Sequence, residues 1–510
     1  MKTRFLGRLA ALTAVAVLAG APMATMAFAQ EAAPAAAEAP AATPAAPAEA
    51  APAAPAPAAA PTTIEQTVDK GDNAWMLVST VLVMLMIIPG LALFYGGLVR
   101  QKNMLSMLMQ VSTVTVVGMM TWILWGYSLA FTDGGAADLF VGGLDKLFLK
   151  GVDTTTLVGT FSTGVYIPEL TFVAFQMTFA CITAALVLGG LAERLKFSAT
   201  VVFAVVWPIL VYYPMAHMVW WWAGPDTVAL APTDPIQAGL LWGFGALDFA
   251  GGTVVHINAG IAALVGAIIL GKRTGFQKEP MPPHSLTLTM VGAGLLWVGW
   301  FGFNAGSNLE SNAYASLAML NTFVCTAAAG FSWILVEWVT RKKASALGMA
   351  SGIVAGLVAI TPAAGFAGPA GSLILGLIVS PICIIFCSAV KNALKYDDSL
   401  DAFGIHAIGG IVGAIATGLL VNPAWGGAGI VDYTTCGADG VLATCDSATY
   451  NMVTQVIAQA KAVAVTILWS GIGSTIVFLF IKYTVGLRVS AETEEEGLDI
   501  TEHGERAYHT

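Results

Sequence analysis

Asp248-Phe-Ala-Gly-Gly-Thr-Val-Val-His256-Ile-Asn-Ala259 puts a carboxylate and an imidazole eight residues apart at the head of an apolar run. Asp401-Ala-Phe-Gly-Ile-His406-Ala-Ile-Gly-Gly410 echoes it: an aspartate followed by Phe and Gly opens an apolar helix with a histidine in its early turns. Ionisable groups within a membrane span are costly, and they usually face the bundle interior or a pathway. Read singly, each stretch also suits a helix N-cap aspartate and a structural histidine. Repeated in corresponding segments of two halves, the pair points to a shared pathway, because repeat-built transporters place their sites where the halves meet.

The rest of the chain fits such a setting. Of 510 residues, 57% are hydrophobic and 10% charged, where a soluble domain carries about a quarter charged residues. This is the composition of an all-α polytopic membrane protein. The 55 glycines suit helices packed backbone to backbone in lipid. The net charge of -9 says little, since much of it sits at the two ends. None of the six cysteines falls in a CxxC or Cys/His cluster, so no metal site is expected. No nucleophile constellation or phosphate loop supports an enzyme, a cofactor or a nucleic-acid partner.

About eleven segments reach the ~20 residues that a span needs. They lie near 74–98, 104–131, 168–191, 198–222, 251–270, 285–306, 313–339, 346–364, 368–390, 402–421 and 461–485. With residue 72 outside, the inside loops carry Arg100, Lys102, Arg194, Lys196, Lys272, Arg273, Lys278, Arg341, Lys342, Lys343, Lys391 and Lys395. The outside loops carry Lys146 and Lys150, and 222–250, 307–313 and 422–460 hold no Lys or Arg. The positive-inside rule then sets the amino end outside and the carboxyl end in the cytoplasm. Five spans per half is an odd number, so two consecutive halves are inverted relative to each other, with an eleventh helix left over. At 1.5 Å per residue, His256 lies roughly 12 Å beyond Asp248 and His406 roughly 8 Å beyond Asp401, approaching from opposite faces.

Both ends read differently. Residues 1–29 have the basic start, short apolar middle and Ala27-Phe28-Ala29 motif of a secretory signal peptide. Residues 30–71 read as a disordered Ala/Pro-rich tether. The membrane domain then covers 72–487 and a cytoplasmic tail 488–510. The tail is acidic from Glu492 to Glu496, but its later part mixes Gly, Leu, Ile and Tyr as an ordered contact segment would. Cys436 and Cys445 share an outside loop, where a disulfide is permitted. Cys181, Cys325, Cys383 and Cys387 read as small packing residues.

Several aromatic residues gather near the outside ends of spans: Trp220, then Phe175 and Phe179 on one face at i, i+4, and Phe303 with Ser307 in Trp300-Phe-Gly-Phe-Asn-Ala-Gly-Ser307. Two readings stand for them, an interfacial aromatic belt and a cation–π vestibule.

These stretches, with Ile88-Pro-Gly-Leu-Ala-Leu-Phe-Tyr-Gly-Gly97, Phe179-Ala-Cys-Ile182, Leu191-Ala-Glu-Arg194 and Gly497 to Tyr508, resemble the bacterial members of the ammonium transporter (Amt/Mep/Rh) family. The resemblance covers 73–508; the signal peptide and tether are additions that the family does not require. It implies a homotrimer with one pore per subunit in the bacterial plasma membrane. It implies an ammonium site at Trp220, Phe175, Phe179 and Ser307, a phenyl gate at Phe179 and Phe303, and pore histidines at His256 and His406. Asp248, Trp300 and Asp401 are then structural residues near the site. His217, beside Trp220, is read as structural. The resemblance also implies control by a cytoplasmic PII-type signalling protein under nitrogen sufficiency. Methylammonium is the natural substrate analogue. The competing readings are an ammonium sensor acting through the tail and, more remotely, a carbon dioxide channel.

Overall fold

The computed structural model describes residues 64–436 and 445–508. The signal peptide expected over 1–29 and the tether up to residue 63 fall outside the described residues. Among the described residues, eleven helices are long and apolar enough to cross a membrane: α1 Lys70–Leu98, α2 Gln101–Phe131, α3 Glu169–Leu191, α4 Phe197–Trp220, α5 Gly252–Leu270, α6 Leu286–Gly306, α7 Ala313–Arg341, α8 Ala346–Ala363, α9 Pro369–Leu394, α10 Phe403–Leu420 and α11 Met452–Thr484. The fold is the all-α polytopic one expected. Ten of the helices keep close to their expected limits.

Two boundaries differ for physical reasons. The tether drawn to residue 71 ends earlier, because Thr67–Val68 (β1) pairs in parallel with Val165–Pro168 (β3), which pairs antiparallel with Leu157–Gly159 (β2). Asp69 then caps α1, accepting from the backbone of Gly71 at 2.6 Å and Asp72 at 3.1 Å. At the other end, α11 begins at Met452 rather than near 461, with Asn451 as its cap. Gln455 and Gln459 make the first turns look like loop in sequence, but both side chains are buried against protein rather than lipid.

α5 and α10 form the centre. Each opens on a wide turn that carries its histidine, Gly252–Ile257 in α5 and Phe403–Ala407 in α10. Wide turns of this kind often mark functional positions in helices. Glycine lets the two backbones touch: a Cβ at Gly260 would meet the amide nitrogen of Ala407 at 2.4 Å. α11 lies against both helices. Its Ser470 hydroxyl donates to the Asn258 carbonyl at 2.7 Å, and its Ser474 hydroxyl accepts from the Trp207 indole of α4 at 2.9 Å.

The face that carries the tail is held by ion pairs between loops. Arg273 pairs with Glu193 and Asp397, both at 2.9 Å, and Arg100 with Glu193 at 3.0 Å. Two short tail helices, Ala491–Glu496 and Leu498–His503, continue this network. Asp499 caps α2 by accepting from Leu105 and Ser106, Glu494 accepts from the Thr274 amide, and Glu502 from the Phe197 amide. In the loop between α10 and α11, Cys436 is joined to Cys445.

Candidate functional site

Asp248 organises the start of α5. Its buried carboxylate accepts from the amides of Gly251, Gly252, Thr253 and Val254 at 2.9, 2.6, 2.8 and 3.2 Å, and from the Thr253 hydroxyl. These are the otherwise orphaned donors of a helix N-terminus, whose dipole also favours the negative charge. Its backbone carbonyl accepts from the Trp220 indole at 3.0 Å, so one residue aims α5 and orients the tryptophan. Gly251 sits between them at φ 112, a left-handed conformation open to glycine, where a Cβ would lie 2.5 Å from Val255.

The expected counterpart in the second half needs correction. Asp401 does not cap α10; it sits at φ 60 and pairs with Lys391 at 2.8 Å. Asp398 takes the capping role, accepting from the amides of Ala402 at 3.0 Å and Phe403 at 2.8 Å. Burial pushes the Asp398 carboxyl up to about 6, against the opposing pull of Lys391. The Asp-x-Phe-Gly echo drew attention to the wrong aspartate, three residues too late; the Asp397-Asp398 pair before it was the available signal.

His256 and His406 meet. Their Nδ1 atoms are 3.3 Å apart and the rings lie 5.4 Å apart between centroids, both buried. A nitrogen-to-nitrogen hydrogen bond needs one donor and one acceptor, which two imidazolium rings cannot supply. The Nε2 of His256 is buried with no partner. The pair borders a narrow cavity whose other walls are apolar, among them Met86, Ile182, Leu186, Leu296 and Val255. Trp300 stacks on His256 at 5.3 Å and anchors its own indole on the Thr361 hydroxyl at 2.9 Å, a partner that no sequence pattern suggested.

Phe303 leads away from the histidines, with its ring 6.0 Å from that of His256. Phe179 stacks on it at 4.2 Å, with the planes 14° apart. Phe175 follows at 4.9 Å from Phe179, and Trp220 meets Phe179 edge-on at 5.8 Å. Phe175, Phe179 and Phe303 are fully buried, whereas Trp220 and Ser307 are half-buried. These rings therefore adjoin one another in a continuous row that ends on the histidines, with Phe179 and Phe303 stacked at its centre. The Ser307 hydroxyl donates to the Phe303 carbonyl at 2.8 Å, which leaves its lone pairs free to accept. A Cβ on the neighbouring Gly306 would lie 3.1 Å from the Phe175 ring, so Ser307 stands at the same end of the stack. His217 lies apart from it, with its ring nitrogens against the carbonyls of Ala130 and Asp138 at 3.1 and 2.7 Å.

Eleven spanning helices around a buried pair of imidazoles describe a multi-pass helical membrane protein, and likeness to known proteins narrows that class. Residues 74–508 match the Ammonium Transporter Family. The chain is 45% identical over 444 residues to an ammonium transporter of Aquifex aeolicus, covering 87% of this chain and 95% of that protein. It is 42% identical to an ammonium transporter of Bacillus subtilis, with 86% and 98% covered. Among solved structures it resembles Saccharomyces cerevisiae Mep2 with TM-score 0.70 at 31% identity, covering 83% of this chain and 91% of the other. A Sensor Amt Protein is similar with TM-score 0.72 at 26% identity, covering 85% and 98%. The chain belongs to the ammonium transporter family, whose members are transporters and not enzymes.

Proposed function

We propose that this chain conducts ammonium across the bacterial plasma membrane as ammonia, with its amino end outside and its carboxyl end in the cytoplasm. The observation that carries the proposal is the histidine pair, linked nitrogen to nitrogen at 3.3 Å in an apolar cavity and reached through a stack of phenyl rings.

Trp220, Phe175 and Phe179 offer ring faces to a cation, and Ser307 offers an oxygen lone pair to one of its four N–H groups. Each cation–π contact contributes roughly 0.5–2 kcal/mol. Together they hold ammonium at the mouth. They do not offset the several kcal/mol or more of taking a bare charge into an apolar tunnel. Ammonium nearly matches potassium in size but can shed its proton. At the mouth the N–H bond gives its proton to bulk water, neutral ammonia slips past Phe179 and Phe303, and His256 and His406 offer it hydrogen bonds on the way. A proton is taken up again on the far side. The subunit works within a homotrimer, and the docked tail is the element through which a PII-type protein closes the inner face.

A second reading, an ammonium sensor, is favoured by the tail's contacts with the first turns of α2 and α4 and with the loop at Thr274, and by the likeness to a Sensor Amt Protein. Purified protein in liposomes decides between them. Transport predicts labelled methylammonium uptake well above empty liposomes, together with a measurable current per ion or its absence. Uptake no greater than in empty liposomes, with ligand binding retained, overturns transport in favour of sensing.

A further inference from the structure

α11 stands outside the two five-helix halves, yet it grips both of them next to the site. Gln459 is buried, and every polar atom of its amide is used. Its Oε1 accepts from the Leu247 amide at 2.6 Å, and its Nε2 donates to the Leu247 carbonyl and to the Ala414 carbonyl, both at 2.8 Å. One turn away, Gln455 donates to the Gly245 carbonyl at 2.8 Å. Leu247 immediately precedes Asp248, and Ala414 lies on α10, two turns beyond His406.

We infer that Gln459, assisted by Gln455, is a positioning residue for cation recruitment: it fixes the 245–248 segment so that the Asp248 carbonyl holds the Trp220 indole against Phe179. The physical reason is the reach of the loop. Residues 244–251 contain two glycines, Gly245 and Gly251, both at positive φ, and no helix or strand. Such a segment has little stiffness of its own. Side-chain amides that pair both the N–H and the C=O of one residue pin its peptide planes in translation and rotation. Asp248 passes that constraint to α5 through its carboxylate and to Trp220 through its carbonyl. Anchoring the same amide on Ala414 ties the loop to the helix that brings His406, so the mouth and the histidine pair share one frame.

This inference rests on the recruitment reading above, and its test separates the two. Methylammonium uptake by the full-length protein in liposomes is measured for the wild type, Gln459→Leu, Gln459→Glu, Trp220→Leu and the double variant Gln459→Leu/Trp220→Leu. Ser474→Ala, also buried on α11 but bonded to Trp207, serves as the structural control. Gln459→Leu is expected to raise apparent KM about three- to tenfold, as for the loss of one or two hydrogen bonds, with little change in maximal rate per folded protein. Gln459→Glu keeps the acceptor for Leu247 but loses both donors, and falls between. The double variant is expected to match Trp220→Leu alone, because positioning an absent indole adds nothing. Ser474→Ala should leave KM unchanged. A raised KM in Trp220→Leu with a wild-type KM in Gln459→Leu overturns the inference and leaves recruitment intact. Additive KM effects, or a loss confined to maximal rate, also overturn it. A wild-type KM in Trp220→Leu overturns both. If Gln459→Leu does not fold, Gln459→Glu and Gln455→Leu carry the same comparison.

Discussion

Ser307 spends its one proton on the Phe303 carbonyl, and that leaves its oxygen lone pairs to accept. Trp220 has its indole N–H tied to Asp248, which leaves its ring as the only part able to meet a cation. Ser307→Ala removes the acceptor, and Trp220→Leu removes the strongest ring face while keeping apolar bulk. Each is expected to raise the apparent KM for methylammonium, by roughly tenfold if 1.4 kcal/mol is lost. Wild-type concentration dependence in both variants would show that the aromatic stack recruits nothing. At this scale the placement of the candidate residues was largely legible in sequence. The i, i+4 spacing of Phe175 and Phe179 placed both rings on one face, and the histidines stood out as imidazoles in lipid. The Asp397-Asp398 pair was a visible signal, but three aspartates within five residues compete for one cap and only the backbone path chooses Asp398. Gln459 was not legible, since its partners are main-chain carbonyls that have no signature.

Among the elements, the loops on the tail's face depend on buried charge. Burial alone would raise the Glu193 carboxyl, but Arg273 and Arg100 outweigh it and hold it below its ordinary value. Burial acts likewise on Asp397, and Arg273 with Arg194 again wins. Carboxyls depressed in the fold contribute stability that is present above their unfolded values, near pH 4, and lost as pH falls through the lower folded values. The melting temperature of detergent-solubilised protein should therefore drop below pH 4. Arg273→Ala should lower it already at pH 7, by the equivalent of about 3–5 kcal/mol for a broken buried pair. A variant that melts with the wild type at pH 7 would contradict this. The tail is the other element at stake. Deleting it from Gly497 removes the Asp499 cap on α2 and the Glu502 contact with α4. Weakened transport or weakened PII co-purification is expected, and unchanged values of both would remove the tail from any regulatory role. Span positions were readable from apolar length. The start of α11 was not, because buried glutamines look like loop when their partners are unknown. The wide turns of α5 and α10 were equally hidden, since glycine spacing does not reveal how tightly a turn winds.

The molecule as a whole sets two halves and an added helix around one buried crossing point, where α5 and α10 touch through glycine and bring their histidines together. Inversion of the halves followed from counting spans; their meeting depended on backbone contacts that only coordinates reveal. We propose that selectivity comes from a neutral passage: ammonium crosses because it can shed its charge, and potassium fails because it cannot. His256→Asp tests this most directly. A carboxylate at the crossing point would draw in water and give a permeating cation a partner. Currents are measured in liposomes under ammonium and potassium gradients, beside a His256→Ala control. His256→Asp is expected to conduct potassium, which the wild type rejects. A His256→Asp protein that conducts ammonium well and still excludes potassium would contradict the neutral passage.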